Sequence, residues 1–346
     1  MEPSPSTSPV SVLLISNQVR NAEGVGNPIL ERLTRSLSKD KRVSAAHFTP
    51  FLKGSPVRSL RRIAKEVRRH DVAHVHFGGL YALLVRLALT GCGRPTLITF
   101  HGTDIHAKAV LSARSWMEKA KIRLNQWASF ACILLYGHTG FVAGELKAYV
   151  PSLLRKRLKT RSFTQPLGVD YDTFQPMDKG EARRRLGLGE GRFALFSDIS
   201  HTSVKRRDLA KRITSLLGDS THLLVMSGVK AEDAPLWVNA SDMLLLTSDE
   251  EGSPNIIREC LALDKPVFSV DVGDAREQLR GLANSMVISR DPETAARQIE
   301  ASLQKPYTDH TRERLRSRLD IDLLNNDVVS LYESLAHRSN KQIPLA

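Results

Sequence analysis

Short apolar runs alternate with segments of helical periodicity along this chain, and the alternation occurs twice. The first series consists of runs at Val10–Ser16, Val43–Phe48, Val72–Phe77, Thr96–Phe100 and Ala131–Tyr136. The second begins after Gly168, with runs at Phe193–Ser197, His222–Ser227, Met243–Thr247, Pro266–Val270 and Ser285–Ile288. Between the runs, apolar residues recur at helical spacing, as around Leu80–Leu89 and Ser115–Ala128. Parallel strands need a crossover and a helix usually supplies it, so the pattern predicts an α/β protein with two parallel-sheet units.

The length of 346 residues fits two domains, since one domain usually has about 100 to 200 residues. Pro and Gly between residues 160 and 178 mark the linker. We predict an N-terminal unit over residues 1–165, a C-terminal unit over 166–325, and a helix around 326–346 that packs back on the first. Open parallel sheets bind ligands outside the carboxyl ends of their strands, so functional residues are expected in the turns there.

The positive charge excess belongs to the first half of the chain. Residues 1–165 carry 26 Lys and Arg against 9 Asp and Glu, whereas residues 166–346 carry 24 against 28. Such a one-sided field favours an anionic partner, whether a lipid surface, a polyphosphate or nucleic acid. The alternative is a basic surface that only keeps the protein soluble, which would give the same excess of Lys and Arg.

Three cysteines stand far apart without Cys-x-x-Cys spacing, which fits a reducing cytoplasm and suggests no zinc site. Residues 1–9 are rich in Ser and Pro and lack the basic start and apolar stretch of a signal peptide, so a loose leader is expected. No uninterrupted apolar run reaches about 18 residues, so a spanning helix is not expected. Together these features predict a cytoplasmic protein.

The segment after Met243–Thr247 has the composition of a ligand-binding turn. Ser253 is a good N-cap and Pro254 suits the first helical position, so a helix is expected to begin here. Backbone N–H groups at a helix N-terminus suit a phosphate or a sugar hydroxyl, and Gly252 lets a ligand approach the backbone closely.

Two glutamates flank this helix start, Glu251 before it and Glu259 within it. Eight helical residues turn about 800°, or about 80° beyond two full turns, so both carboxylates can reach one side of the site. Each can accept protons from the hydroxyls of a sugar or a ribose. Two ordinary acids on the surface of a helix have the same spacing.

Several motifs together resemble the family-4 retaining glycosyltransferases of glycosyl transferases group 1. The run from Asp242 to Ala262 resembles the family signature, and it continues through Lys265-Pro266-Val267 and Asp271–Glu277. The family's interdomain element resembles Gly168-Val169-Asp170, Phe174 and Pro176, and its His-Gly-Ser/Thr-Asp turn resembles His101-Gly102-Thr103-Asp104. The resemblance implies the GT-B fold, with two Rossmann-like parallel-sheet domains that face a central cleft.

The resemblance also implies a nucleotide-diphosphate-sugar donor in the C-terminal domain. Glu251 is similar to the family glutamate that contacts the transferred sugar, and Glu259 to the one that binds the ribose. The backbone expected to hold sugar and phosphate consists of Gly252, Ser253, Pro254 and Asn255.

A cationic pair binds the diphosphate in this family, and one member is evident here. Lys205 stands where the family lysine is expected, but Ser197–Thr202 before it contains no arginine. Either Arg206 or Arg207 substitutes for the arginine, or the diphosphate is bound more weakly than is usual in the family. Alternatively, the three cations form only the solvated start of a helix.

Two positions in the N-terminal domain belong to the expected site. The resemblance assigns His101 a contact with the reacting sugar, whereas a histidine at a strand end is often structural. Asp104 either orients it or caps the following helix. Gly26 is a candidate phosphate contact, or part of a tight turn between strand and helix.

Retention of configuration without an evident carboxylate nucleophile implies front-face attack through an oxocarbenium-like transition state, in which the departing diphosphate takes the acceptor's proton. Positioning and electrostatics then supply the rate. The implied reaction is hexosyl transfer to a glycan or lipid-linked acceptor in polysaccharide or glycoconjugate biosynthesis. No cofactor and no metal ion are expected.

A basic amphipathic helix is predicted after residue 55. Its cations recur at steps of three and four, at Arg58, Arg61, Arg62, Lys65, Arg68 and Arg69. Such a helix can lie on anionic lipid with about 1 kcal/mol for each nearby cation, and a second basic cluster follows between 155 and 161. This favours peripheral attachment to the inner face of the membrane; a helix whose charged face is simply wet is the alternative.

Two other functions compete with glycosyl transfer. A nucleic-acid-binding protein would account for the charge, but no recognised binding motif is present and few aromatics lie near the basic clusters. A glycosyltransferase-like protein that has lost activity and binds a polyanion would account for the missing arginine.

Overall fold

The chain folds into two compact units in a computed structural model that describes residues 8–16, 27–48, 56–102, 104–106, 115–198 and 203–340. The first unit comprises Met1–Leu167 and Asp322–Ala346, and the second comprises Gly168–Ile321. The division lies two residues after the sequence boundary of 165, and the return to the first unit comes four residues before the sequence boundary of 325.

The described strands of the first unit form one parallel sheet in the order β2-β1-β3-β4-β5-β6. These strands are β1 (Val10–Ile15), β2 (Val43–Phe48), β3 (Val72–His76), β4 (Thr96–Phe100), β5 (His138–Phe141) and β6 (Ser162–Thr164). Its described helices are α1 (Pro28–Leu37), α2 (Pro56–Val67), α3 (Leu80–Ala88), α4 (Trp116–Leu135), α5 (Ser152–Arg161) and, from the end of the chain, α15 (Asn326–Asn340), and a 3₁₀ turn spans Gly144–Tyr149.

The two faces of this sheet are covered by different helices. On one face α2, α3, α4 and α5 share a core with the strands, through Ile63, Val85, Ile133 and Leu158 respectively. On the other face α1 and α15 pack over the strands, and Tyr332 of α15 is fully buried there. The alternating sequence of β3 explains the division, because successive side chains of a strand point to opposite faces.

Three histidines lie at this sheet: His74 and His76 are fully buried and His101 is half-buried. Desolvation lowers the pKa values of all three rings. The pKa falls to about 3 for both His74 and His101. His74 is held by two hydrogen bonds, one between Nδ1 and the Tyr332 hydroxyl at 2.6 Å and one between Nε2 and Thr99 Oγ1 at 2.8 Å. The folded protein therefore keeps these rings neutral at any physiological pH.

The buried histidines predict acid sensitivity of the first unit. Unfolded histidine takes up a proton below about pH 6.5, whereas these three do not when folded, so the free energy of unfolding falls as pH drops from about 6.5 towards 3. Each ring contributes up to about 1.4 kcal/mol per pH unit. Urea unfolding across this pH range measures the slope, which His74→Gln should make shallower; an unchanged slope in that variant would contradict the assignment.

The second unit contains a parallel sheet of the described strands in the order β11-β10-β9-β7-β8. The strands are β7 (Arg192–Ser197), β8 (Thr221–Met226), β9 (Met243–Leu246), β10 (Val267–Val270) and β11 (Met286–Ile288). The described helices are α6 (Lys179–Arg185), α7 (Arg207–Leu216), α8 (Ala234–Ala240), α9 (Asn255–Leu261), α10 (Ala275–Gln278), α11 (Pro292–Leu303), α12 (Thr311–Arg314) and α13 (Arg316–Leu319), and a 3₁₀ turn spans Ser203–Lys205. The short helix α14 (Ile321–Leu324) contains the chain boundary at which the second unit ends and the first resumes.

The predicted strand Ala131–Tyr136 is wrong, because residues up to Leu135 are the last turns of α4. Ser115 caps this helix by accepting the backbone N–H of Glu118, and the helix then continues for 20 residues. The strand in this region is β5, whose Gly140 is required because a Cβ there would collide with the side chains of Thr99 and Phe163. An apolar run of six residues fits a strand or a helix equally, so periodicity alone misplaced it.

Candidate functional site

The carboxyl ends of β7, β9, β10 and β11 lie at one edge of the second sheet, because its strands are parallel. The segments that follow them include residues 203–206, 247–255, 271–274 and 289–290, which we call the strand-end site. This is the edge at which ligands of open α/β sheets bind.

Hydrogen bonds fasten two of these segments together. Thr247 follows the fully buried strand β9, and its hydroxyl donates to the backbone carbonyl oxygens of Lys205 and Arg206, at 3.0 Å each. The backbone N–H of Asp249 donates to the carbonyl oxygen of Val204 at 2.8 Å. The turn before α7 is thereby fixed against the turn before α9.

An ion pair between Lys205 and Glu251 occupies the junction of the two turns. Lys205 Nζ lies 2.6 Å from Glu251 Oε1, and the Ser248 hydroxyl donates to the same oxygen at 2.8 Å. The two side chains are 20% and 16% exposed, so they are sheltered but open to a solute. The structure thus brings together the cation and the carboxylate to which the family resemblance gives contacts with the diphosphate and the sugar.

Further cations converge on Asp249 in the same turn. Arg290, two residues after the end of β11, lies 2.8 Å from Asp249 Oδ1 through Nη1 and donates from Nη2 to the Ser248 carbonyl oxygen at 3.0 Å. Arg206 approaches Asp249 at 3.5 Å and also pairs with Asp208. Arg207 is the first residue of α7 and is exposed. Sequence reasoning missed Arg290, although the strand-end rule that selected Glu251 applies equally to the turn after β11.

Ser253 does not cap the helix, contrary to the sequence prediction. The N-cap position belongs to Pro254, and α9 begins at Asn255. The Ser253 hydroxyl instead donates to Asp274 Oδ2 at 2.7 Å and accepts from Arg258 Nη2 at 2.7 Å. A buried carboxylate and a buried guanidinium together outcompete the single N–H bond that a cap would offer.

The Arg258–Asp274 ion pair beneath this turn is itself almost fully buried. The two side chains are 6% exposed each and lie 3.0 Å apart, and Gln278 donates to the second carboxylate oxygen at 2.6 Å. Next to Asp274, Gly273 has a φ of +54°, and a Cβ there would lie 2.5 Å from the carbonyl oxygen of Gly252. The turn after β10 therefore packs directly under the glycine turn after β9.

Glu259 is buried in the body of α9, at 6% exposure. Its neighbours from Ile256 to Leu261 are buried as well. The alternative that Glu259 is an ordinary acid on the surface of a helix is therefore wrong. Glu251 is not an exposed surface acid either, since its side chain is held by Lys205 and Ser248.

In the first unit, half-buried His101 follows β4, and its ring contacts two aromatic neighbours. Phe77 stacks on it with ring centroids 3.9 Å apart, and His76 Nδ1 lies 3.1 Å from His101 Nε2. The Asp104 carboxylate accepts the backbone N–H groups of His101, Gly102 and Gly78 at 2.7 to 3.1 Å. Asp104 thus closes the turn through the backbone of its neighbours, although burial raises the pKa of its carboxyl group.

The remaining predicted residues divide between the described and the undescribed parts of the chain. Gly26 and the turn around it lie outside the described residues, as do residues 199–202, part of the stretch that lacks the partner arginine. The six predicted cations from Arg58 to Arg69 are described and exposed, with Arg68 and Arg69 just beyond the end of α2. Within the described ranges, no cluster of three His, Cys, Asp or Glu suited to a metal ion occurs.

Residues 200–305, which contain most of the strand-end site, match the model of the family Glycosyl transferases group 1. The chain is also 25% identical over 263 residues to the putative teichuronic acid biosynthesis glycosyltransferase TuaC of Bacillus subtilis. That match covers 65% of this chain and 63% of the length of TuaC. These findings confirm the resemblance to group 1 glycosyltransferases.

Solved structures confirm the GT-B fold. Sucrose-phosphate synthase of Thermosynechococcus elongatus superposes with a TM-score of 0.70 and 15% identity, over 95% of this chain and all of that one. Anabaena HepE, solved in complex with UDP-glucose, superposes with a TM-score of 0.69 and 12% identity, over 94% of this chain and all of that one. The predicted fold class of two Rossmann-like parallel-sheet domains is correct.

Proposed function

We propose that this chain, of which residues 200–305 match the model of the family Glycosyl transferases group 1, is a retaining glycosyltransferase of family 4. It would move a hexose from a nucleotide-diphosphate-sugar to a glycan or lipid-linked acceptor in polysaccharide or glycoconjugate biosynthesis. The printed name of TuaC supports the biosynthetic assignment, and the UDP-glucose complex of HepE supports a nucleotide-sugar as donor.

The Lys205–Glu251 ion pair is the observation that carries this proposal. Without donor, each group neutralises the other at 2.6 Å. A bound donor offers each a better partner, since its diphosphate can take the ammonium group and its sugar hydroxyls can donate to the carboxylate. A charge-assisted bond is about twice as strong as a neutral one, so donor binding would exchange one such interaction for several.

The proposed chemistry relies on positioning and charge. The acceptor oxygen attacks the anomeric carbon on the face that the diphosphate leaves, the bond to the diphosphate breaks, and the acceptor's proton passes to a departing diphosphate oxygen. Lys205 with Arg206 and Arg290 would stabilise the developing negative charge. We nominate no side-chain nucleophile, cofactor or metal ion.

His101 is proposed to contribute to turnover as a neutral ring. Burial lowers its pKa to about 3, so at neutral pH it hydrogen-bonds without carrying charge. A general-acid role, which needs a pKa near the working pH, does not suit it.

Arg206 rather than Arg207 is proposed to replace the missing arginine, because only Arg206 reaches the turn that carries Glu251. Arg206→Ala is expected to raise the KM for donor about tenfold, which corresponds to the loss of one charge-assisted contact of about 1.4 kcal/mol. Arg207→Ala, the matched control one residue away, should change it less than twofold. Steady-state kinetics with varied donor measure both, and the reverse order of effects would contradict the choice.

Release of nucleoside diphosphate from UDP-, GDP- and ADP-sugars tests the proposed function. The correct donor should also raise the melting temperature, because it binds only the folded state. NMR of the product should show the anomeric configuration of the donor. A protein that binds polyanions without releasing nucleoside diphosphate from any donor would instead be the inactive relative considered from the sequence.

We also propose that the protein works in the cytoplasm, attached peripherally to the inner face of the membrane. The basic residues of α2 and a lipid-linked acceptor motivate this location. Among the described residues, no helix combines the length and apolarity needed to cross a bilayer.

A further inference from the structure

The helices α2, α3, α4 and α5 form one layer on the first sheet, and their outward surface is here called the helical face. All four bury apolar side chains in the same core under this layer. Their outer residues therefore lie on one side of the unit. The helical face combines exposed apolar side chains with a concentration of positive charge.

The first feature is an apolar stripe along the outer side of α4. Trp116, Leu124 and Trp127 are 77%, 60% and 66% exposed. They follow one another at spacings of eight and three residues, which places them within about 80° on a helix. The opposite side of α4 is also apolar and is buried through Cys132 and Ile133. Only one apolar side of such a helix can pack on the core, so the other side remains exposed to water.

A second exposed stripe lies beside the first, on α3. Leu80, Leu84 and Leu87 are 46%, 36% and 58% exposed, at the i, i+4 and i+7 positions of one helix side. The two helices are joined along their length, since the Leu80 N–H donates to Asn125 Oδ1 at 3.0 Å and Arg86 Nε donates to the Leu135 carbonyl oxygen at 2.8 Å. The apolar surface thus spans two neighbouring helices.

The second feature is a concentration of positive charge around this apolar centre. The four helices contain 13 Lys and Arg but only two acids, Glu66 and Glu118. Most of the cations lie on the outer helices, with four on α2 and five on α5. On α4 itself, Lys119, Lys121 and Arg123 are exposed beside the stripe.

We infer that the helical face docks on an anionic bilayer, with Trp116, Leu124 and Trp127 inserted between headgroups and the cations of α2 and α5 on lipid phosphates. Dimerisation through this face would place the 13 cations of one copy opposite the 13 of the other, and repulsion between like charges opposes that. Nucleic acid would satisfy the cations but would leave the leucine and tryptophan stripes in water. Tryptophan at the interface and cations around it are the combination that peripheral membrane helices use.

This inference deepens the proposed membrane attachment and rests on it, but it assigns the apolar part of binding to α3 and α4. Attachment through α2 alone would be electrostatic and would vanish at high salt. Insertion of the stripe adds apolar burial, which salt does not screen. The two modes therefore differ in salt dependence and in the surroundings of the tryptophans.

Quenching by brominated lipid tests the insertion directly. The chain has three tryptophans, so a Trp237→Phe variant of the full chain leaves only the two on α4. With mixed vesicles of phosphatidylglycerol and phosphatidylcholine brominated on the acyl chains, its fluorescence should shift to the blue and be quenched. Leu124→Gln with Trp127→Gln should weaken vesicle partitioning at least about tenfold. Leu216→Gln, an exposed leucine of the second unit, is the matched control and should not.

Three outcomes would overturn the inference. Vesicle binding without quenching would mean that charge alone attaches the protein. A blue shift without lipid, together with a dimer by light scattering, would mean that a second copy covers the stripe. No binding to anionic vesicles would mean that the helical face is not a membrane-docking surface. Release of nucleoside diphosphate is measured on the same variants in detergent-free buffer. Release without vesicle binding would contradict the docking surface alone, whereas vesicle binding without release would contradict the proposed glycosyl transfer alone.

Discussion

Replacing Glu259 with alanine is expected to reduce release of nucleoside diphosphate to background. Glu259 is proposed to accept two hydroxyl protons of the donor ribose, and each hydrogen bond to a charged group contributes about 1.5 to 3 kcal/mol. Losing both corresponds to about 10² to 10⁴ in kcat/KM. Steady-state turnover with the donor found by screening measures the loss.

Two companions of this variant separate binding from folding. Glu259→Gln keeps the volume of the buried side chain, so it should fold like the parent and still lose most of kcat/KM. Glu293→Ala removes an exposed acid of the same unit and should retain full activity. Full activity of Glu259→Ala would show that Glu259 does not bind the donor. The melting temperature of each variant should lie near that of the parent, which shows that a loss of activity is not a loss of folding.

The parallel-sheet architecture was predictable because buried strands of such sheets are nearly continuous apolar runs. β2 and β4 have the bounds expected from sequence, and most other strands differ by one or two residues. Strand ends are set by the last ladder hydrogen bond, which a residue pattern does not contain. The error at Ala131–Tyr136 has a different cause, because α4 is apolar on two sides and lacks the one-sided periodicity that identifies most helices.

The functional turns were predictable in position but not in their contacts. The strand-end rule led to Glu251 and the family resemblance led to Lys205. Nothing local indicated that the two side chains, 46 residues apart, would lie 2.6 Å from each other. Ser253 shows the same limit, because its hydroxyl is drawn to Asp274, 21 residues away. Side-chain partners of this kind depend on tertiary packing, whereas capping preferences describe only neighbouring residues.

The other large effect is expected at Asp274, whose replacement by alanine should destabilise the second unit by about 3 to 5 kcal/mol. The change leaves the Arg258 guanidinium in a buried position without its carboxylate, at a site where both side chains are 6% exposed. It also removes the acceptor of the Ser253 hydroxyl, so the turn that carries Glu251 and Gly252 loses its support. Urea unfolding followed by Trp237 fluorescence, in a background with Trp116→Phe and Trp127→Phe, reports on this unit.

The neighbouring pair of Asp271 and Arg276 provides the matched control. It has a shorter separation, 2.7 Å, but its side chains are 57% and 67% exposed, so Asp271→Ala should cost less than about 1 kcal/mol. Removing both buried charges, as Arg258→Met with Asp274→Leu, should recover part of the stability lost in Asp274→Ala. Recovery of stability without recovery of turnover would show that the buried pair positions the donor turn; equal losses at Asp271 and Asp274 would show that burial does not set the strength of these pairs.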